Sequence, residues 1–448
     1  MSVSALGEMD RLPPIRPVAR KTRKQPIGAV VAVAASFALS ACATIERAPF
    51  TAQQQRAATV AGAPAIRFWA DAPDAAQRMR PARTAGGDVT MLALSGGGDD
   101  GAYGAGLLNG WSRSGKRPVF SLVTGISTGA LIAPFAFLGS DEDKVIERFY
   151  TRTSAKDIFR PRFPLAVPAS TSAASSKPLA RLIAQEVTPD LLNRIAEQHR
   201  AGRRLFVGTV NLDAQRLMIW DMGALAASEL PGRVDLFRRV LLASASIPGL
   251  FPPVPVDVVG QGRMLRELHV DGGTAAAFLS VPSQLVVNDA RAPDSGRLTL
   301  YLLINGRLTS DFKLVRHPTT FPIAQRALAI SQQSALQSLT YTSYLYAKDH
   351  GIDWNLAFIG DEVRRSDKPF DPGYMRRLYA YGFAQGEAGG GWRKQPPSGP
   401  SEGTWISTTF PPNCRPGGDA RRLSGRPSAL DPSIYNAVQT RVVRRCPA

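Results

Sequence analysis

Leu122-Val123-Thr124-Gly125-Ile126-Ser127-Thr128-Gly129, followed by the apolar run from Ala130 to Leu138, reads as a short strand, a glycine-flanked turn and a buried helix. The same order occurs just upstream. Val89 to Leu94 is an apolar strand, Ser95-Gly96-Gly97-Gly98-Asp99-Asp100-Gly101 is a turn, and Ala105 to Trp111 continues as a helix. Two strand–turn–helix units in succession predict a parallel α/β sheet. Further along, Leu205–Asn211 and Arg216–Trp220 read as strands paired across a turn at Asp213-Ala214. Leu298–Ile304 and Trp354–Ile359 read as later buried strands. Helical spacing covers Leu179–Arg200, Val234–Ala245, Phe321–Tyr346 (as one or two helices) and Tyr374–Glu387. Asp157–Pro178 is rich in Pro, Ser and Ala and reads as a loop of lid length.

Each glycine turn suits a particular chemistry. Gly125-Ile126-Ser127-Thr128-Gly129 is a G-x-S-x-G element, and a nucleophilic serine needs this shape because its hydroxyl must be lifted clear of the sheet on a sharp strand-to-helix turn. With 40 glycines in 448 residues the pattern alone is weak, and its place between a strand and a helix is what strengthens it. The Gly96-Gly97-Gly98 run leaves backbone N–H groups free at a helix N-terminus, which suits an anion or a developing oxyanion. Nucleotide binding fits poorly, since no G-x-x-x-x-G-K-[ST] follows and Asp99 and Asp100 repel phosphate. His269-Val270-Asp271-Gly272-Gly273 sets an acid at the end of a short strand. Alone it reads as a turn, and beside the other two elements it supplies a proton acceptor for Ser127.

Gly96-Gly97-Gly98-x-x-Gly101, Gly125-x-Ser127-x-Gly129 and Asp271-Gly272-Gly273, in this order, resemble the patatin-like phospholipase family. Ala243-Ser244-Ala245-Ser246-Ile247-Pro248 with Phe251-Pro252-Pro253 resembles the block preceding the family's Asp-Gly motif, so the likeness spans residues 89 to 305. It implies a three-layer α/β/α fold with a mostly parallel central sheet. It also implies a serine acyl hydrolase of lipase or phospholipase A type, acting without a cofactor on membrane lipid or another lipid ester. Ser127 is then the nucleophile and Asp271 the base of a dyad lacking histidine, with Gly96, Gly97 and Gly98 at the oxyanion hole. Gly101, Gly125, Gly129, Gly272 and Gly273 frame these groups. One departure is Asp100, where the family often has a basic residue, which leaves less positive charge near the hole. The alternative mechanism is a Ser–His–Asp triad, for which His269 is the only serious candidate; His199, His317 and His350 read as surface residues. The alternative function is a catalytically silent binding or scaffold module on the same fold.

The termini read as address and tail. Arg20, Lys21, Arg23 and Lys24 precede an apolar stretch from Ile27 to Leu39, too short to span a bilayer comfortably. Leu39-Ser40-Ala41-Cys42 resembles the bacterial lipoprotein signal, in which the cysteine becomes the acylated first residue. That likeness implies export and a lipid anchor in the cell envelope, and Ala43 after the cysteine implies the outer membrane. Residues 1–41 are therefore expected to be a leader, 42–87 a tether, 88–395 the catalytic domain and 396–448 an irregular tail. Cys414 and Cys446 are expected to pair as a disulfide in an oxidising compartment. Four histidines and these distant cysteines show no metal-ligand spacing. Of the net charge of +18, the leader carries +4, and the rest is spread without a Lys/Arg run or interleaved aromatics. That argues against a nucleic-acid partner and favours contact with anionic lipid.

Overall fold

The computed structural model describes residues 45–81, 88–163, 170–280, 296–309, 318–389 and 391–397, with residues 167, 312, 314 and 315. The chain divides into two units, Met1–Pro397 and Ser398–Ala448. The second unit and residues 1–44 lie outside the described residues, and with them the expected leader, the lipidation at Cys42 and the Cys414–Cys446 disulfide.

Apolar runs with β-branched residues form one nine-stranded sheet. Its strands are β1 Arg67–Trp69, β2 Val89–Leu94, β3 Leu122–Gly125, β4 Arg204–Asn211, β5 Arg216–Asp221, β6 Val254–Gly260, β7 Arg263–Asp271, β8 Leu298–Leu303 and β9 Asp353–Ala357. The main path runs β1-β5-β4-β3-β2-β8-β9, while β7 pairs with both β4 and β6. Strands β4, β3, β2, β8 and β9 are parallel, and β1, β5, β6 and β7 are joined by antiparallel pairings.

Helices cover both faces. They include α1 Gly101–Arg113, α2 Thr128–Leu138, α3 Asp143–Thr151, α4 Lys177–Glu186, α5 Pro189–Arg200, α6 Arg233–Ser244, α7 Thr320–Asp349 and α8 Pro372–Glu387. Strand alternation divides the core in two. Leu92, Leu94, Val123, Leu205, Val207 and Leu303 pack with α1, α2, α5, α6 and α8. Met91, Ala93, Leu122, Phe206, Leu300 and Leu302 pack on the other face with Leu336 and Ala347 of α7. The central strands are thus buried on both sides, as expected of parallel strands in a three-layer α/β/α domain. The span Leu179–Arg200 breaks into α4 and α5, because Thr188 caps α5 through Leu191 N–H (3.2 Å) and Pro189 occupies its first turn. Phe321–Tyr346 lies within a single 30-residue helix.

Residues 45–81 are not a free tether. Val60, Ala63 and Ile66 are buried in one core and Phe68, Ala75 and Met79 in the other. Strand β1 pairs with β5, with Phe68 opposite Ile219. The segment contributes one large apolar group every few residues, enough to dock on a sheet but too sparse to show a period. The expected lid segment is also partly pinned, since Ala173 and Ala174 N–H donate to the carbonyls of Gly249 (2.8 Å) and Leu250 (2.9 Å).

Candidate active site

Two strand ends meet beside β4. Strand β3 runs parallel to β4 and ends with Gly125 opposite Val207. Strand β7 arrives from the opposite direction and ends with Asp271 opposite Thr209. Only Gly208 separates the two registers, and a Cβ there would fall 2.4 Å from Ile126 Cδ1. A Cβ on Gly272 would fall 2.6 Å from the Gly208 carbonyl oxygen. Missing side chains therefore let the two ends close on each other. The result is a hydrogen bond from Ser127 Oγ to Asp271 Oδ2 of 2.6 Å, between groups that are 8% and 2% exposed.

The serine sits on a strained turn. Its φ of 54° and ψ of −122° are unfavourable for a residue with a side chain, and strain of this kind is characteristic of functional sites. Ser127 stands at the N-cap position of α2 without a capping hydrogen bond from its side chain, so the positive end of that helix dipole lies beside it. The turn is tight: a Cβ on Gly125 would meet the Gly129 carbonyl oxygen at 2.5 Å, and one on Gly129 the Leu94 carbonyl oxygen at 2.5 Å. Ser244 ties the pieces together. Its hydroxyl accepts from Ser127 N–H (3.0 Å) and donates to the Gly208 carbonyl (2.7 Å). Asp271 N–H donates to the Ser246 carbonyl (2.9 Å). The Ala243–Pro248 block thus pins both Ser127 and Asp271.

The glycine turn after β2 borders Ser127, for a Cβ on Gly96 would lie 3.2 Å from Ser127 Cβ. Gly96 itself does not fit the expected oxyanion role, because its N–H is committed to the carbonyl of Ala277 at 3.1 Å. Among the described residues, Gly97 and Gly98 N–H have no such acceptor. Gly97 lies against Asn305, whose carbonyl oxygen would be 1.7 Å from an added Cβ, and Gly98 adopts φ 61°. Asn305 holds this edge through its own N–H to Ser95 Oγ (2.8 Å) and its Nδ2 to the Ser95 carbonyl (2.8 Å). Asp99 accepts from Phe370 N–H (2.9 Å), and Asp100 accepts from Tyr374 O–H (2.5 Å). Burial raises both carboxyls above the usual range. The two acids anchor the segment leading into α8.

Burial pushes the Asp271 carboxyl up to about 7, against hydrogen bonds from Ser127 and Gly273 N–H that lower it. A base with this affinity is matched to proton transfer near neutral pH. His269, the triad candidate, is spent elsewhere. Its Nε2 bonds Glu267 (2.9 Å) and its Nδ1 bonds Thr209 Oγ1 (2.9 Å), in a wholly buried position where desolvation lowers its proton affinity. Burial raises Glu267, but hydrogen bonds from His269 and Arg67 outweigh it and leave the carboxyl at about 2. With both ring nitrogens engaged, His269 has none to offer Ser127.

A cavity of about 620 Å³ lies beside residues 47–56, Trp69 and Arg216, and no dyad or glycine-loop residue lines it. Among the described residues, no group of three or more His, Cys, Asp or Glu side chains is placed to hold a metal ion. No helix there is long and apolar enough to cross a membrane.

Residues 92–280 match the sequence model of the family described as patatin-like phospholipase. No curated protein matches the chain. Among solved structures, VipD from Legionella pneumophila aligns at 12% identity over 69% of this chain and 69% of VipD, with a TM-score of 0.34. The type III effector protein ExoU aligns at 12% identity over 67% of this chain, with a TM-score of 0.24. The chain covers 53% of the ExoU chain.

Proposed function

From the match of residues 92–280 to the patatin-like phospholipase model, we propose that the protein is a serine acyl hydrolase cleaving carboxylic esters of lipids, with Ser127 as nucleophile and Asp271 as general base. The observation that carries this reading is the 2.6 Å hydrogen bond from Ser127 Oγ to Asp271 Oδ2. Asp271 takes the hydroxyl proton as Oγ attacks the acyl carbonyl carbon. The tetrahedral oxyanion is stabilised by the N–H groups of Gly97 and Gly98 and by the α2 dipole. Collapse breaks the ester bond, and protonated Asp271 returns its proton to the departing alcohol. Asp271 then deprotonates a water that attacks the acyl-serine, and the proton goes back to Ser127 as the acid leaves. Every step uses protein side chains and backbone amides.

A serine-reactive fluorophosphonate carrying a fluorophore tests the reading, followed by peptide mapping. Covalent label is expected on Ser127, together with fatty-acid release from phosphatidylcholine vesicles. A chain that stays unlabelled while folded is a binding or scaffold module instead.

The lipobox-like Leu39–Cys42 and its basic flank support a second element of the proposal, an acylated Cys42 holding the enzyme on the cell envelope, at the outer membrane. Two or more acyl chains, at about 0.8 kcal/mol per buried methylene, make release slow. Cys42→Ser is expected to move the protein from the membrane to the soluble fraction. Wild-type protein already found in the soluble fraction contradicts the anchor.

A further inference from the structure

The hairpin that carries Asp271 has a thin hold on the sheet. Strand β7 pairs with β4 over three residues only, Thr209–Asn211 opposite His269–Asp271, and its other neighbour β6 belongs to the same hairpin. Besides the bonds of Asp271 N–H to the Ser246 carbonyl and of Leu212 N–H to the Leu268 carbonyl (both 2.9 Å), the hairpin is gripped from outside by the segment before the matched family region. Thr59 and Val259 exchange backbone hydrogen bonds (3.0 and 2.8 Å). Arg47 Nε donates to the Arg266 carbonyl (2.9 Å). Inside the protein, Gln55 Nε2 donates to Glu267 Oε1 (2.5 Å), and Arg67 donates to both Glu267 oxygens, with Nη2 to Oε1 at 3.0 Å.

The Arg67–Glu267 pair is 3% and 0% exposed at the side chains. Glu267 continues into a chain of bonds whose directions fix one another. Trp220 Nε1–H donates to Thr209 Oγ1 (2.8 Å), which leaves the Thr209 hydroxyl proton for His269 Nδ1 (2.9 Å). His269 Nε2–H then donates to Glu267 (2.9 Å), whose charge Arg67 balances. A buried carboxylate of this kind is costly unless fully paired. Glu267, His269 and Asp271 alternate along one face of β7, and Thr209 is the residue paired with Asp271.

We propose that Arg67 and Gln55 are positioning residues for the reaction, acting through Glu267, His269 and Thr209 to hold the end of β7 where Asp271 reaches Ser127. This rests on the dyad reading above. It makes residues 47–69 part of the catalytic unit, although the family match begins at residue 92.

The test uses the full chain and three variants, with kcat, KM and melting temperature measured for each. Thr209→Val keeps the shape and removes the bridging hydroxyl; kcat is expected to fall about tenfold or more with KM within about twofold. Arg67→Met is expected to lower both kcat and Tm. Arg67→Met/Glu267→Met replaces the buried pair by apolar groups and is expected to regain Tm, as such replacements often do, while kcat stays down by about tenfold or more. A merely structural role predicts that kcat recovers together with Tm in the double variant, and that result overturns the proposal. If the double variant does not fold, Thr209→Val decides, and a kcat within twofold of wild type overturns it equally. Activity surviving in Asp271→Asn would instead remove the dyad reading itself.

Discussion

Ser127→Ala is expected to abolish ester hydrolysis, by about four to six orders of magnitude in kcat, with circular dichroism unchanged. The size follows from what remains. Without Oγ no acyl-serine forms, and the residual rate expected is that of the proposed oxyanion amides of Gly97 and Gly98 acting on bound substrate, worth about 10³–10⁴ over water in comparable enzymes. Fluorophosphonate labelling should vanish with it. A companion variant separates chemistry from strain. Ser127 holds φ 54°, a conformation that costs of order 1 kcal/mol or more for a residue with a side chain. Ser127→Gly should therefore be equally inactive yet more stable by about 1 kcal/mol, because glycine takes that backbone freely. Hydrolysis within tenfold of wild type in Ser127→Ala would remove Ser127 from the mechanism.

Much of the parallel sheet was legible as residues because its strands are buried on both faces and read as uninterrupted apolar runs. Val89–Leu94 appears in the structure with the bounds expected of it, and Leu122–Thr124 extends by one residue. The β6–β7 hairpin also carries a local signal. Val254 to Gly260 alternates in burial, and Gln261 and Gly262, at φ 49° and 75°, make the tight turn. Its first strand starts directly after Phe251-Pro252-Pro253, so the motif is also a strand boundary. Strand β1 could not be seen, since three residues carry no period and its pairing partner is more than a hundred residues away.

In the site, the dyad candidates stood out because each lies in a glycine frame that local chain geometry demands. Finer assignments depended on partners that no local pattern names. Gly96 looks like Gly97 and Gly98 in sequence, and only the carbonyl of Ala277 distinguishes it. Ser244 carries no signal of its bridging role, because a hydroxyl that both accepts and donates is defined by its two neighbours, Ser127 and Gly208. His269 lies two residues before Asp271 and invited a triad. Its bonds to Glu267 and Thr209 exclude it from that role, and the Arg67 that completes the network lies 200 residues from Glu267.

Asp271→Asn is expected to be as inactive as Ser127→Ala and, at alkaline pH, more stable than wild type. The loss follows from removing the proton acceptor 2.6 Å from Ser127 Oγ while keeping the side chain's shape. The stability change follows from linkage. Desolvation raises the folded-state value to about 7, whereas an unfolded Asp lies near 3.9. The folded protein therefore keeps a proton that the unfolded chain gives up between about pH 4 and 7. Its stability is full below pH 4, declines as pH rises through that window, and levels off above about pH 7. The shift of about three units corresponds to about 4 kcal/mol at most. Asparagine does not ionise, so denaturant titrations of the variant should lose this decline, and at pH 8 it should outlast wild type. The same group sets the activity profile. Only the carboxylate accepts the serine proton, so wild-type kcat/KM should rise about tenfold per pH unit below about 7 and flatten above it. A profile flat from pH 5 to 8, or Asp271→Asn retaining more than a few per cent of wild-type turnover, would assign the base to another residue. The stabilised, inactive variant is the outcome the burial of Asp271 predicts: the environment that tunes the base to neutral pH is the one that makes its charge costly to the fold.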